Sequence, residues 1–142
     1  MPIGYKVAHD GKLVVEVWTG RIAAEEMYAH QETTLGDPRV QAGRSEFIDI
    51  TRATNPHVGD EELQRFVDAY RTKPEKAVNT SIAVVATGET FEQARLFERL
   101  TIPHMITVVV FNDTATACTW LGVDESEIRG HVRDVLRDMS AS

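Results

Sequence analysis

An alternation constrains this chain more than any other feature. From Phe47 to the C-terminus, short apolar runs alternate with segments whose apolar residues recur at helical spacing. The runs are Phe47-Ile48-Asp49-Ile50, Ser81-Ile82-Ala83-Val84-Val85-Ala86 and Thr107-Val108-Val109-Val110-Phe111. The last two are almost unbroken, as strands buried on both faces are. Between them, Leu63, Phe66, Val67 and Tyr70 share one helical face, and so do Phe91, Ala94, Phe97 and Leu100. After the third run, Ala117, Trp120 and Leu121 mark a short helix, and Ile128, Val132, Val135, Leu136 and Met139 mark a longer one. Buried strands alternating with helices predict a mostly parallel sheet joined by right-handed crossovers.

The chain ahead of the alternation reads differently. Tyr5-Lys6-Val7-Ala8 and Leu13-Val14-Val15-Glu16-Val17-Trp18 flank His9-Asp10-Gly11-Lys12. Asp-Gly between two β-rich runs predicts a hairpin, because Gly accepts positive φ at little cost. A helix over Ile22 to Thr34 should follow, with Ala24, Met27, Tyr28 and Gln31 forming only a partial stripe. Gly36-Asp37-Pro38 ends it. Thr51 to Gly59 reads as a loop, Asp60 as the cap of the next helix and Pro74 as its end. Gly122 should stop the short helix, and Asp124 with Glu127 resembles a capping box for the last one. The predicted order is β-β-α-β-α-β-α-β-α-α. It is an α/β fold over residues 1–142, with a mixed, mostly parallel sheet of four to five strands and helices packed on it.

Size and charge narrow the class. A chain of 142 residues can bury a core without metal or disulfide staples. Its net charge of −7, spread along the chain, weighs against unspecific binding to nucleic acid or anionic membrane. Cys118 is the only cysteine, which fits a reducing cytoplasm, and its apolar surroundings suggest a packed thiol. No basic stretch followed by an apolar run opens the sequence, and the run at Val108 to Phe111 is too short to span a bilayer.

The usual chemical signatures are missing. Neither glycine-rich nucleotide fingerprint occurs, nor a Gly-x-Ser-x-Gly elbow, nor the acidic pair and lysine of a phosphoreceiver. The turn Ala86-Thr87-Gly88-Glu89-Thr90 enters a helix, but Glu89 opposes an anion there. The five histidines are scattered along the sequence without metal-ligand spacing, and read as surface or capping residues. No metal and no cofactor is expected. Ligands of an open parallel sheet sit beyond the carboxyl ends of its strands. Asp49, Thr51, Arg52, Thr54, Asn55, His57, Thr87, Asn112 and Asp113 fall there, although turns and caps call for many of the same residue types. Arg52 and His57 are the least explained by capping. The candidate ligand or partner contacts are therefore Asp49, Thr51, Arg52, Thr54, His57, Thr87, Asn112 and Asp113.

The hairpin Gly11-Lys12-Leu13-Val14-Val15-Glu16-Val17, the segment Ile48-Asp49-Ile50-Thr51, and Val109-Val110-Phe111-Asn112-Asp113 with Ala117 and Trp120-Leu121 together resemble SpoIIAA-like proteins of the STAS/SEC14-like class. The resemblance implies a four- or five-stranded sheet with helices packed on it. In anti-sigma-factor antagonists of this class, a serine at a helix start is phosphorylated and switches partner binding. Here that helix begins Val58-Gly59-Asp60-Glu61, without a hydroxyl and with carboxylates opposing a phosphate, so the switch does not carry over. Three expectations follow. The first is a non-enzymatic domain that binds a protein partner or forms a homodimer. The second, from the SEC14-like side, is a carrier of a lipid or other apolar small molecule, with a closed cavity of roughly a few hundred Å³. The third is a small hydrolase or transferase using Asp49, Arg52 and His57. None involves nucleic acid or stable membrane insertion.

Overall fold

The computed structural model describes residues 2–54, 58–103 and 105–141. Its sheet has five strands in the order in which they occur: β1 (Ile3–Ala8), β2 (Leu13–Gly20), β3 (Ser45–Ala53), β4 (Thr80–Val85) and β5 (Ile106–Phe111). β1 runs antiparallel to β2, and every later neighbour is parallel. The predicted mixed sheet with an opening hairpin is therefore present. The hairpin turn has three consecutive positive φ angles, at His9, Asp10 and Gly11. Gly11 is indispensable there on two counts. Its φ is +90°, and a Cβ would stand 2.1 Å from the Arg39 carbonyl oxygen.

Each face of the sheet carries its own core. On one side lie α1 (Ala24–Gly36), α2 (Asp60–Thr72), the short α3 (Pro74–Ala77) and α4 (Glu89–Ala94), which continues as a 3₁₀ segment over Arg95–Leu100. Met27, Leu63, Phe66, Phe97 and Leu100 from these elements pack on Trp18, Ile50, Ile82, Val84 and Val108 of the strands. On the other side, α5 (Thr114–Leu121) and α6 (Glu125–Ala141) cover Leu13, Val15, Val17, Phe47, Ala83 and Val85. The alternation of side chains along a strand explains the division, since neighbours in sequence point to opposite faces.

Several boundaries move from their predicted places. β3 runs on to Ala53, because β2 continues past a bulge and pairs Thr19 with Arg52 and Gly20 with Ala53. Thr51 and Arg52 thus belong to a strand, not to a loop. Gly59, not Asp60, occupies the cap of α2, and Asp60 is its first residue. Pro74 does follow the end of α2, but it also opens α3, where its missing N–H costs nothing. Asp124 accepts the Glu127 N–H at 2.9 Å, whereas the Glu127 carboxylate turns to His9 and His131 instead of completing the box. Gly122 ends α5 at φ 72° as expected. Cys118 is buried, and burial pushes its thiol up to about 11, so it packs as an unreactive side chain.

Candidate functional site

The strand-end candidates mostly stay apart. Asp49, Thr51 and Arg52 meet: Asp49 Oδ1 accepts from the Thr51 N–H at 2.9 Å and hydroxyl at 2.6 Å, and Oδ2 pairs with Arg52 Nη1 at 2.9 Å. Asp49 and Arg52 also line a shallow cleft of about 160 Å³ beside Arg129 and Arg133 of α6. Thr54 is exposed at a bend, where its N–H donates to the Gly20 carbonyl. Thr87 lends its carbonyl to the Thr90 hydroxyl at 2.7 Å. Asn112 is exposed, and Asp113 caps α5 by accepting the Thr116 N–H at 2.7 Å and hydroxyl at 2.9 Å. Those bonds hold the Asp113 carboxyl below its usual range. Asn55 and His57 lie outside the described residues.

The concentrated chemistry is elsewhere, between the sheet and α1 and α2. Glu16 on β2 and Glu46 on β3 point to the same face and are buried. Register pairs Val14 with Glu46 and Glu16 with Ile48, so the two carboxylates are near neighbours on adjacent strands. Glu16 Oε1 meets His30 Nε2 of α1 at 2.6 Å, and Oε2 accepts from Trp18 Nε1 at 2.5 Å. Glu46 Oε2 accepts from Arg44, which stands two residues before it and also donates to the carbonyls of Gln41 and Lys76. Gln31 of α1 donates to the Phe66 carbonyl at 3.0 Å.

The field of the two carboxylates is legible in their neighbours. Burial opposes the charged His30 ring, but Glu16, through charge and hydrogen bond, and then Glu46 outweigh it and raise its pKa. Burial is the first cause that raises Glu46; Arg44 works against it, and Glu16 adds to it. Burial and both carboxylates push the Tyr70 phenol of α2 upward, which keeps it a neutral donor. His30 is therefore a nearly buried ion-pair partner, contrary to its reading as a surface or capping residue.

Two spaces adjoin this row of polar groups. An inner cavity of about 50 Å³ is lined by polar Glu16, Glu46, Gln31 and Tyr70 and by apolar side chains that include Trp18, Phe66, Phe97 and Leu100. An outer groove of about 400 Å³ follows the free edge of β1 between α1 and α6. His30 lines both. Its ring also meets Tyr5 edge-on, with centroids 5.4 Å apart. The inner cavity is smaller than the apolar-carrier expectation requires; the outer groove has the volume of a ligand site but is open along β1.

The free edge has a definite phase. The Thr19 N–H donates to the Pro2 carbonyl at 2.7 Å, which makes Pro2 and Thr19 a hydrogen-bonded pair. Alternation then leaves Ile3, Tyr5 and Val7 in the other kind of pair, with N–H and C=O directed away from β2. Lys6 fastens this strand to α6 through Asp134 at 2.8 Å, and the Tyr5 hydroxyl donates to Asp37 at 2.7 Å.

Sequence reasoning missed Glu16, His30, Gln31, Arg44, Glu46 and Tyr70 as a set. Two signals were available. Glu16 interrupts an otherwise apolar strand, and the partial stripe of α1 had Gln31 on its inward side. Both mark polar groups facing a core.

Among the described residues, no group of three or more His, Cys, Asp or Glu could hold a metal ion, and no helix is long and apolar enough to cross a membrane. No family model and no curated protein matches the chain. The chain is similar to a solved structure of an uncharacterised protein from the DUF3478 family in Shewanella loihica, at 18% identity and a TM-score of 0.48. The likeness covers 84% of this chain and 91% of that one, whose fold is described as SpoIIAA-like, the fold named by the sequence resemblance.

Proposed function

We propose that this protein is an interaction domain that takes an extended segment of a protein partner onto the free edge of β1. One observation carries the reading: the outward N–H and C=O groups of Ile3 and Tyr5 open onto an apolar groove flanked by α1 and α6, and those of Val7 continue the same strand edge past it. An exposed strand edge is a template for a further strand, with main-chain bonds giving affinity and flanking pockets giving specificity. Ala29, Val135 and Met139 supply the apolar flank, and Glu26 and Asp138 the acidic rim. The favoured occupant is a segment with alternating apolar residues and flanking Lys or Arg. A second copy would bring another net charge of −7 and its own Glu26 and Asp138 to the same rim, which disfavours self-pairing.

Selection from a displayed library of extended peptides tests this. Enriched sequences should be apolar at alternate positions with basic flanks. Val7→Pro removes one outward N–H without touching the β1–β2 ladder, and should weaken their binding at least tenfold. No enrichment, or equal binding by V7P, would overturn the reading. A concentration-dependent dimer that V7P abolishes would replace the partner with a second copy.

A further inference from the structure

The inner cavity has a composition that the strand-edge function does not use. Among the aliphatic side chains of its apolar wall stand three aromatic rings, Trp18 of β2, Phe66 of α2 and Phe97 of the 3₁₀ segment, and Tyr70 adds a fourth ring to the lining. Trp18 and Phe97 are fixed edge to face, with centroids 5.8 Å apart and planes at 88°. The Trp18 ring is oriented further by its N–H bond to Glu16. Aromatic faces attract cations through the ring quadrupole, and more strongly where water is excluded. The same cavity is lined by two buried carboxylates, Glu16 and Glu46.

Those carboxylates are not exhausted by their present partners. An ionised carboxylate offers about four acceptor sites. Glu16 gives one oxygen to His30 and the other to Trp18, and Arg44 takes only Oε2 of Glu46. Arg44 does not line the cavity: it reaches to the Gln41 and Lys76 carbonyls behind Glu46. Both carboxylates are already compensated, Glu16 by His30 and Glu46 by Arg44, so a cationic ligand would add donors to acceptor positions that these partners leave open. Rings and carboxylates on one cavity are complementary to a charged donor with a small apolar surface.

We propose that this cavity is a binding site for a small organic ammonium ion, its N–H donors toward Glu16 and Glu46 and its methyl groups against Trp18, Phe66 and Phe97. A volume of about 50 Å³ suits such a head group and excludes an acyl chain. His30, shared by the cavity and the outer groove, marks the side from which a ligand enters. Glu16 and Glu46 raise His30 against the effect of burial, and add to burial in raising Tyr70.

Methylammonium chloride is the probe, with methanol as its neutral counterpart of similar size and sodium chloride as the ionic-strength control. Titration followed by backbone amide shifts should move resonances of Glu16, His30, Glu46 and Phe66 with methylammonium only. Equal responses to methanol would show an apolar cavity without charge preference and overturn the proposal, as would no saturable response to methylammonium. Glu46→Gln should weaken binding at least tenfold. Should that variant fail to fold, Phe66→Leu keeps apolar volume and removes a ring face, and should weaken methylammonium severalfold. Unchanged affinity in a folded variant of either kind would count against the site. None of these outcomes depends on whether a strand binds at β1.

Discussion

Arg44 illustrates how one residue ties distant pieces of this chain together. It is only 2% exposed, yet it carries a full charge. Its guanidinium bridges Glu46 on its own strand to carbonyls at Gln41, in the loop before β3, and at Lys76 in α3. Lys76 answers by donating its ammonium to the carbonyls of Asp37 and Val40. Two cations thus satisfy the backbone of the α1–β3 connection, where no secondary structure does. Removing one member of a buried pair leaves the other charge and its acceptors unmatched, which costs about 3–5 kcal/mol. Arg44→Ala should lose that much in urea unfolding, and the double change Arg44→Met with Glu46→Leu should recover most of it. A loss below about 1 kcal/mol for R44A would mean that water replaces the guanidinium there. Sequence did not disclose this role. Arg44 and Glu46 stand just ahead of the apolar run at Phe47 and look like its polar boundary, although β3 already includes Glu46.

Among the elements, the opening hairpin was legible because its signal is local. The Asp-Gly turn and its flanking runs lie within a few residues, and turn chemistry decides the outcome. The same chemistry sets a comparison of glycines. Gly11 combines φ +90° with the Arg39 carbonyl at 2.1 Å from a built Cβ, whereas Gly20, at φ +66°, meets nothing within 4 Å. Gly20→Ala should cost about 1 kcal/mol, the ordinary left-handed penalty. Gly11→Ala should cost about 3 kcal/mol or more, because strain adds to displacement of the loop at Arg39. Equal thermal shifts in the two variants would show that the loop moves aside freely. α1 gave a weak signal for an opposite reason. Its inward face carries Met27 and Leu35, but also buried Gln31 and Thr34, and His30 is nearly buried beside them. A helix that docks partly by polar groups lacks a clean apolar stripe. The cavity was hidden more deeply still, since Glu16, His30, Glu46 and Tyr70 come from four elements. Which residues of neighbouring parallel strands stand side by side depends on register, and the crossovers that set it leave no local mark.

For the molecule as a whole, titration divides the stabilising groups into two sets with opposite signs. Asp37 is lowered first by its bond to Arg39, Glu127 by His131, and Asp134 by Lys6. A lowered carboxyl contributes stability above its ordinary value, 3.8 for Asp and 4.5 for Glu, and loses it as pH falls further. His30 acts in the other direction. Its folded pKa lies above 6.5, so its contribution is complete below 6.5 and is lost as pH rises through the raised value. Glu46 has the same sign, being raised above 4.5, so its contribution falls away as pH rises from there. The sequence pI of about 5.2 places the smallest charge repulsion in the interval between. Stability should therefore peak between pH 4.5, above which the lowered carboxyls contribute fully, and 6.5, below which His30 does, with Glu46 drawing the maximum toward the acid end. Urea midpoints measured from about pH 3.5 to 9 would trace the two limbs. Asp37→Asn should flatten the acid limb and His30→Gln the alkaline one. A wild-type midpoint that stays level or climbs from pH 6.5 to 9 would remove the His30–Glu16 pair from the forces holding α1 to the sheet.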